Sequence, residues 1–153
     1  MQLPSELDDL YQDIILDHYR SPRHQGLLKN ADLKGEGFNP FCGDQVVLTL
    51  GLDEAGRIDG VGFEGQGCSI SQASASMLTD RLQGKTLEEA EDLVRAFKGV
   101  MQGEGFTPEQ EEELGDVVAL QGVKAFPIRI KCALLGWTTL QDAIAAYRKG
   151  RIG

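Results

Sequence analysis

The sequence predicts an α+β fold, a small antiparallel sheet of about three strands packed against several helices, and three observations carry that prediction. Two alternating apolar runs, Gln45 to Leu50 and Arg57 to Glu64, flank the turn residues Asp53-Glu54-Ala55-Gly56, which is a hairpin pattern. Beyond Gly67 the apolar period changes from two residues to that of helices. The final segment carries the clearest helical stripe in the chain. Strands thus come first and helices afterwards, which is an α+β order.

The first element is a helix opening at Ser5, with Asp8 three residues on as in an N-terminal cap. Leu7, Leu10, Tyr11, Ile14 and His18 recur along it at helical spacing, and Pro22 ends it near Ser21. His18 falls on the apolar face, where a packed, hydrogen-bonded core histidine is preferred to a ligand. From Gly26 to Phe41 turn residues are frequent, with a short strand over Leu33 to Phe38. In the hairpin that follows, Val46, Leu48 and Leu50 share one strand face and Val47 and Thr49 the other; Val61 and Phe63 share a face of the second strand.

Ser69 to Leu82 lacks Gly and Pro and is rich in Ala and Ser, so it forms a helix able to pack closely, closed by Gly84. Thr86 to Lys98 is a further helix, opened by a Thr86…Glu89 capping box. Gly99 to Gly105 breaks the pattern, and Thr107-Pro108-Glu109 starts a short acidic helix with Pro at its first position. Pro127 opens the last helix. Ile130, Leu134, Trp137, Leu140 or Gln141, Ile144 and Tyr147 trace its stripe, widened by Leu135 and Ala143. Its basic end, Arg148-Lys149-Gly150-Arg151, complements the helix dipole.

With 153 residues, the chain can bury a core without disulfide staples and is read as one domain over 1–153. No apolar run approaches the roughly 18 residues of a membrane span. The opening Met1 to Leu10 is acidic and polar, unlike a signal or transit peptide, so a cytoplasmic location is expected. The net charge of −9 is uneven: between Thr86 and Asp116 ten acids face two bases, Arg95 and Lys98. Such a run reads as a solvated helix face or as a surface for a basic partner, and it argues against nucleic acid.

Three cysteines without an export signal read as packed residues, metal ligands or reactive thiols. Each sits at a joint between elements. Cys42 and Asp44 are two apart in Asn39-Pro40-Phe41-Cys42-Gly43-Asp44, so they share a side of an extended segment. Cys68 lies between Gly65-Gln66-Gly67 and a helix start, where free N–H groups favour a thiolate; filling a tight turn is its other reading. Cys132 lies early in the last helix, flanked by Arg129 and Lys131, as a packed residue or a ligand. Together, three thiols and a carboxylate make a complete tetrahedral set for zinc. Spacings of 26 and 64 residues exclude a finger built on local knuckles.

Five blocks in order carry a family resemblance. They are Asp17-His18-Tyr19-Arg20-Ser21-Pro22-Arg23, Asn39-Pro40-Phe41-Cys42-Gly43-Asp44, Gly65-Gln66-Gly67-Cys68-Ser69-Ile70-Ser71, Leu120-Gln121-Gly122-Val123, and Phe126-Pro127-Ile128-Arg129-Ile130-Lys131-Cys132-Ala133. Through them the chain resembles the SufU branch of the IscU/NifU-N-terminal family of iron–sulfur cluster assembly proteins, over nearly its whole length. The branch is marked by Lys131, where IscU-type scaffolds carry His, and by a longer acidic segment, here at about 99–118.

The resemblance implies an IscU/SufE-like fold and a zinc ion held by Cys42, Asp44, Cys68 and Cys132. It implies a zinc-dependent sulfurtransferase that takes persulfide sulfur from a SufS-type cysteine desulfurase and relays it toward cluster assembly on a downstream scaffold. Cys42, in a Gly-flanked loop, is the preferred persulfide acceptor and Cys132 the second choice. Arg129 would orient the site or meet the partner. The other activity the resemblance allows is a scaffold on which a [2Fe–2S] cluster is built.

Overall fold

The computed structural model describes residues 5–40 and 43–152, with side chains over 11–40 and 43–150. Helix α1 (Ser5–Arg20) precedes strands β1 (Leu33–Asn39), β2 (Asp44–Leu52) and β3 (Ile58–Gln66). Helices α2 (Ser69–Leu82), α3 (Leu87–Met101) and α4 (Pro108–Leu114) follow, then a 3₁₀ segment (Gly115–Ala125) and α5 (Pro127–Ile152). The sheet is antiparallel in the order β1-β2-β3. This is the α+β arrangement expected from the pattern of the sequence. No helix of the described residues is long and apolar enough to cross a membrane.

Register decides what the sheet presents. Leu33 stands opposite Leu50 and Asn39 opposite Asp44, while Gln45 stands opposite Gln66. The end of β1, the start of β2 and the end of β3 therefore meet at one edge of the sheet. Alternation buries Val46, Leu48 and Leu50 on the helix-covered face together with Val61 and Phe63. Thr49 is buried on the opposite face, because the segment before β1 lies across it. Its hydroxyl donates to the Gly62 carbonyl at 3.0 Å and accepts from the Leu28 N–H at 3.1 Å.

Helix α5 packs across β1 and β2, and α2 lies between α1 and α5. The contact with β1 needs a strand without side chains at two positions, since a Cβ on Gly37 would overlap the Thr139 hydroxyl and one on Gly35 would approach the Thr139 carbonyl to 2.9 Å. Trp137 of α5 is fully buried, stacks on Phe97 of α3 with ring centroids 4.4 Å apart, and donates to Ser74 Oγ at 2.8 Å. Ser74 in turn donates to the Ala133 carbonyl at 2.6 Å. The Ala/Ser composition of α2 thus produces a helix buried on most sides, whose small polar groups are all hydrogen-bonded inside.

The expected capping box of Thr86 with Glu89 opens α3, and Thr107 with Gln110 forms a second one on α4. The Thr86 N–H and hydroxyl hold the Glu89 carboxyl below the ordinary range, the backbone bond having the larger effect. α3 runs on to Met101, past the expected end at Lys98, because Val100 and Met101 are still buried. The acidic stretch behaves as a solvated face in part only. Glu109, Glu111, Glu112 and Glu113 are exposed, whereas Leu114, Val117, Leu120 and Val123 enter the core.

His18 is fully buried between α1, α2 and the 3₁₀ segment. Its Nδ1 lies 2.8 Å from Ser76 Oγ and its Nε2 2.9 Å from Asp116 Oδ2. The Arg23 N–H also donates to Ser76 Oγ, at 2.9 Å. Arg23 further binds Asp17 at 2.6 Å, and that hydrogen bond holds the Asp17 carboxyl below its ordinary range. The Asp17–Arg23 block is thereby a structural knot rather than a ligand set.

Candidate metal centre

Three of the sequence-expected ligands arrive from three different joints. Asp44 begins β2, Cys68 separates β3 from α2, and Cys132 lies in the second turn of α5. One donor atom from each lies within 4.8 Å of the others. Cys42, the fourth ligand expected from the sequence, lies outside the described residues.

Each side chain is held by its own backbone setting. Asp44 is fully buried, and its Oδ1 accepts the Cys68 N–H at 2.8 Å, leaving Oδ2 at 3.8 Å from Cys68 Sγ. Gly67 makes this approach possible: it has φ +138°, and a Cβ there would overlap Asp44 Oδ1 and lie 2.8 Å from Asp44 Cα. Cys68 is itself the N-cap of α2, with φ −72° and ψ 163°, and its sulfur accepts the Ser71 N–H at 3.4 Å. The sulfur therefore faces the positive end of the helix dipole. The sulfur is thus a partner to both Ser71 and Asp44.

Cys132 is fully buried, with Sγ 3.7 Å from the Ile128 carbonyl and 3.8 Å from Asn39 Nδ2. Two thiolates and a carboxylate are zinc donors, and a structural or catalytic zinc site draws on this set. Two sulfurs and a carboxylate oxygen lie within 4.8 Å of one another, so the residues present fit a zinc ion.

Arg129 does not join the donor cluster. It is exposed, and it borders a groove of about 370 Å³ that Tyr11, Ile15, Ile70, Val123 and Phe126 also line. Two residues gain a role that sequence reasoning had not given them. Asn39 reaches the sulfur of Cys132, and Gly67 gives Asp44 its place. The register signal for the first was available, since Asn39 pairs with Asp44 once the hairpin is aligned.

Comparison with known proteins follows the same residues. The family described as NifU-like N terminal domain matches residues 10–133. The chain is 43% identical over 150 residues to the zinc-dependent sulfurtransferase SufU of Bacillus subtilis (strain 168), covering 98% of this chain and 99% of that one. It is also 43% identical over 140 residues to the iron–sulfur cluster assembly scaffold protein IscU of Streptococcus pyogenes serotype M1, covering 92% and 86% of the two chains. Among solved structures it is similar to the SufU of Fervidobacterium islandicum AW-1, described as an iron–sulfur cluster assembly scaffold protein for the SUF system. That likeness has a TM-score of 0.79 at 37% identity and covers 86% of this chain and 93% of the other.

Proposed function

This chain belongs to the family of NifU-like N-terminal domains, and from that premise we propose that it is a zinc-dependent sulfurtransferase serving iron–sulfur cluster assembly. The observation that carries the reading is the convergence of Asp44, Cys68 and Cys132 on one point in a chain similar end to end to a zinc-dependent sulfurtransferase. Cys42 completes the ligand set as the fourth donor. The sulfur donor is a SufS-type cysteine desulfurase carrying a persulfide, and the recipient is a downstream assembly scaffold.

When bound, zinc keeps its cysteine ligands deprotonated near neutral pH. The chain's own residues supply the rest. The Cys42 thiolate attacks the outer sulfur of the donor persulfide, the donor S–S bond breaks, and the donor cysteine leaves as a thiolate. A new S–S bond now joins that sulfur to Cys42, with no net oxidation. Cys42 is preferred to Cys132 as acceptor because Cys132 is fully buried in a helix, whereas Cys42 is followed in the sequence by Gly43, which gives the chain there conformational freedom. Asp44, held by the Cys68 N–H, keeps the floor of the site fixed.

Docking of the donor protein is supported by an apolar collar. Phe38, Phe126 and Ile128 are 63%, 62% and 69% exposed, and they flank Asn39 and the start of α5. Arg129 adds a positive charge beside them and is assigned to the partner contact.

The test is desulfurase sulfide production with the zinc-loaded chain added. Wild type is expected to accelerate it strongly, and Cys42→Ala to abolish the acceleration even where zinc is retained. Ile128→Asp is expected to raise the concentration for half-maximal acceleration about tenfold, the scale of one buried apolar contact. Full acceleration by the Cys42→Ala variant would overturn the acceptor assignment. The second reading, a scaffold for a [2Fe–2S] cluster, draws on the same ligands and on the IscU relatives. Lys131 in place of the scaffold-type His counts against it.

A further inference from the structure

We propose that Asn39 is a positioning residue for the Cys132 sulfur, and that its amide N–H sets both where that sulfur points and how strongly it binds metal. The proposal rests on the zinc reading above and adds a residue to it.

Two neighbours of the Cys132 sulfur are of opposite kind. On one side, at 3.7 Å, is the carbonyl of Ile128, four residues back along α5. A helix thiol ordinarily gives its proton to that carbonyl. On the other side, at 3.8 Å, is Nδ2 of Asn39. An amide nitrogen only donates, so here sulfur must accept. The contact is weak for a neutral thiol and gains from charge once the sulfur carries it.

The burial of Cys132 makes this donor matter. A fully buried sulfur loses the water that would stabilise its negative charge, and a hydrogen-bond donor from the protein replaces part of that loss. Asn39 is 6% exposed, so its own amide is short of water too. The contact gives each group a partner inside the protein.

Asn39 also links two parts of the site. Its backbone carbonyl accepts the Gly43 N–H at 2.9 Å, one residue before Asp44. Its position opposite Asp44 fixes the start of β2. One residue thus links the start of the Asp44 strand to the Cys132 helix. Groups that orient metal ligands from behind are worth about 10–100-fold in metal affinity.

Zinc affinity, measured by chelator competition, and the electronic spectrum of the cobalt-loaded protein test the proposal. Asn39→Asp keeps the side-chain shape but loses the donor, and Asn39→Ala loses both. Each is expected to bind zinc about 10–100-fold more weakly, with the thiolate-to-cobalt charge-transfer band moved to longer wavelength and the far-UV circular dichroism retained. Affinity within twofold of wild type with an unmoved band, in either variant, would overturn the proposal.

A measurement on the unaltered chain stands beside it should a variant fold poorly. In wild type loaded with spin-active cadmium, the Asn39 side-chain amide protons are expected to couple to the metal through sulfur, and a missing coupling would contradict the proposal. A wild-type chain that binds no zinc overturns this inference together with the proposed function. Normal affinity in the variants of a zinc-binding wild type overturns this inference alone.

Discussion

Gly67→Ala is expected to remove zinc binding and to cost about 2–5 kcal/mol of folding stability. Two separate penalties add at this residue. The backbone has φ +138°, a conformation that side chains rarely adopt. A Cβ in that conformation would also overlap Asp44 Oδ1 and crowd Asp44 Cα to 2.8 Å. Asp44 is fully buried between its neighbours and cannot retreat into solvent. The substitution therefore breaks the 2.8 Å bond from the Cys68 N–H to Asp44 and displaces the carboxylate from both sulfurs. Zinc content and a urea melt check the outcome. Normal zinc stoichiometry in Gly67→Ala would contradict the placement of Asp44.

His18→Ala is expected to lower stability by about 2–4 kcal/mol and to loosen the acidic segment while leaving the metal donors in place. The imidazole bridges Ser76 Oγ and Asp116 Oδ2 from a fully buried position. Its removal opens a cavity and takes from the Ser76 hydroxyl its partner on α1. It also frees the start of the 3₁₀ segment, which leads directly into α5. The urea midpoint is expected to fall, and limited proteolysis within 102–125 to accelerate, with zinc stoichiometry unchanged. An unshifted midpoint would show that the bridge contributes nothing.

The parts of this fold that were legible in the sequence are those set by local periodicity. The stripe from Ile130 to Tyr147 announced α5, and alternation around Asp53 to Gly56 announced β2 and β3. The caps at Thr86 and Thr107 announced α3 and α4. Each signal lies within one or two turns of chain. The 3₁₀ segment was missed, although Val117, Leu120 and Val123 recur every three residues, the period of that helix. A short run of this rare geometry is easily taken for a loop.

The candidate site was legible to the extent that its residues sit at joints. Cys68 before a helix and Asp44 at a strand start declared themselves by position, and the resemblance joined them to Cys132. Asn39 and Gly67 were named within motifs but given no role, because their function is contact across the sheet edge. Likewise, nothing near His18 in the sequence identifies Asp116 as its partner, 98 residues away. Long-range pairing is fixed by the packing of α1, α2 and the 3₁₀ segment together.

The central claim is that sulfur comes to rest on this chain, at Cys42, while zinc is bound. The direct measurement is the mass of the zinc-loaded chain after a single turnover with a cysteine desulfurase and cysteine, followed by mapping of any adduct to a peptide. The account predicts one added sulfur atom, reversible by a thiol reductant, on the peptide containing Cys42. A chain that gains no sulfur on any cysteine, and instead carries an iron–sulfur chromophore when purified, would contradict it.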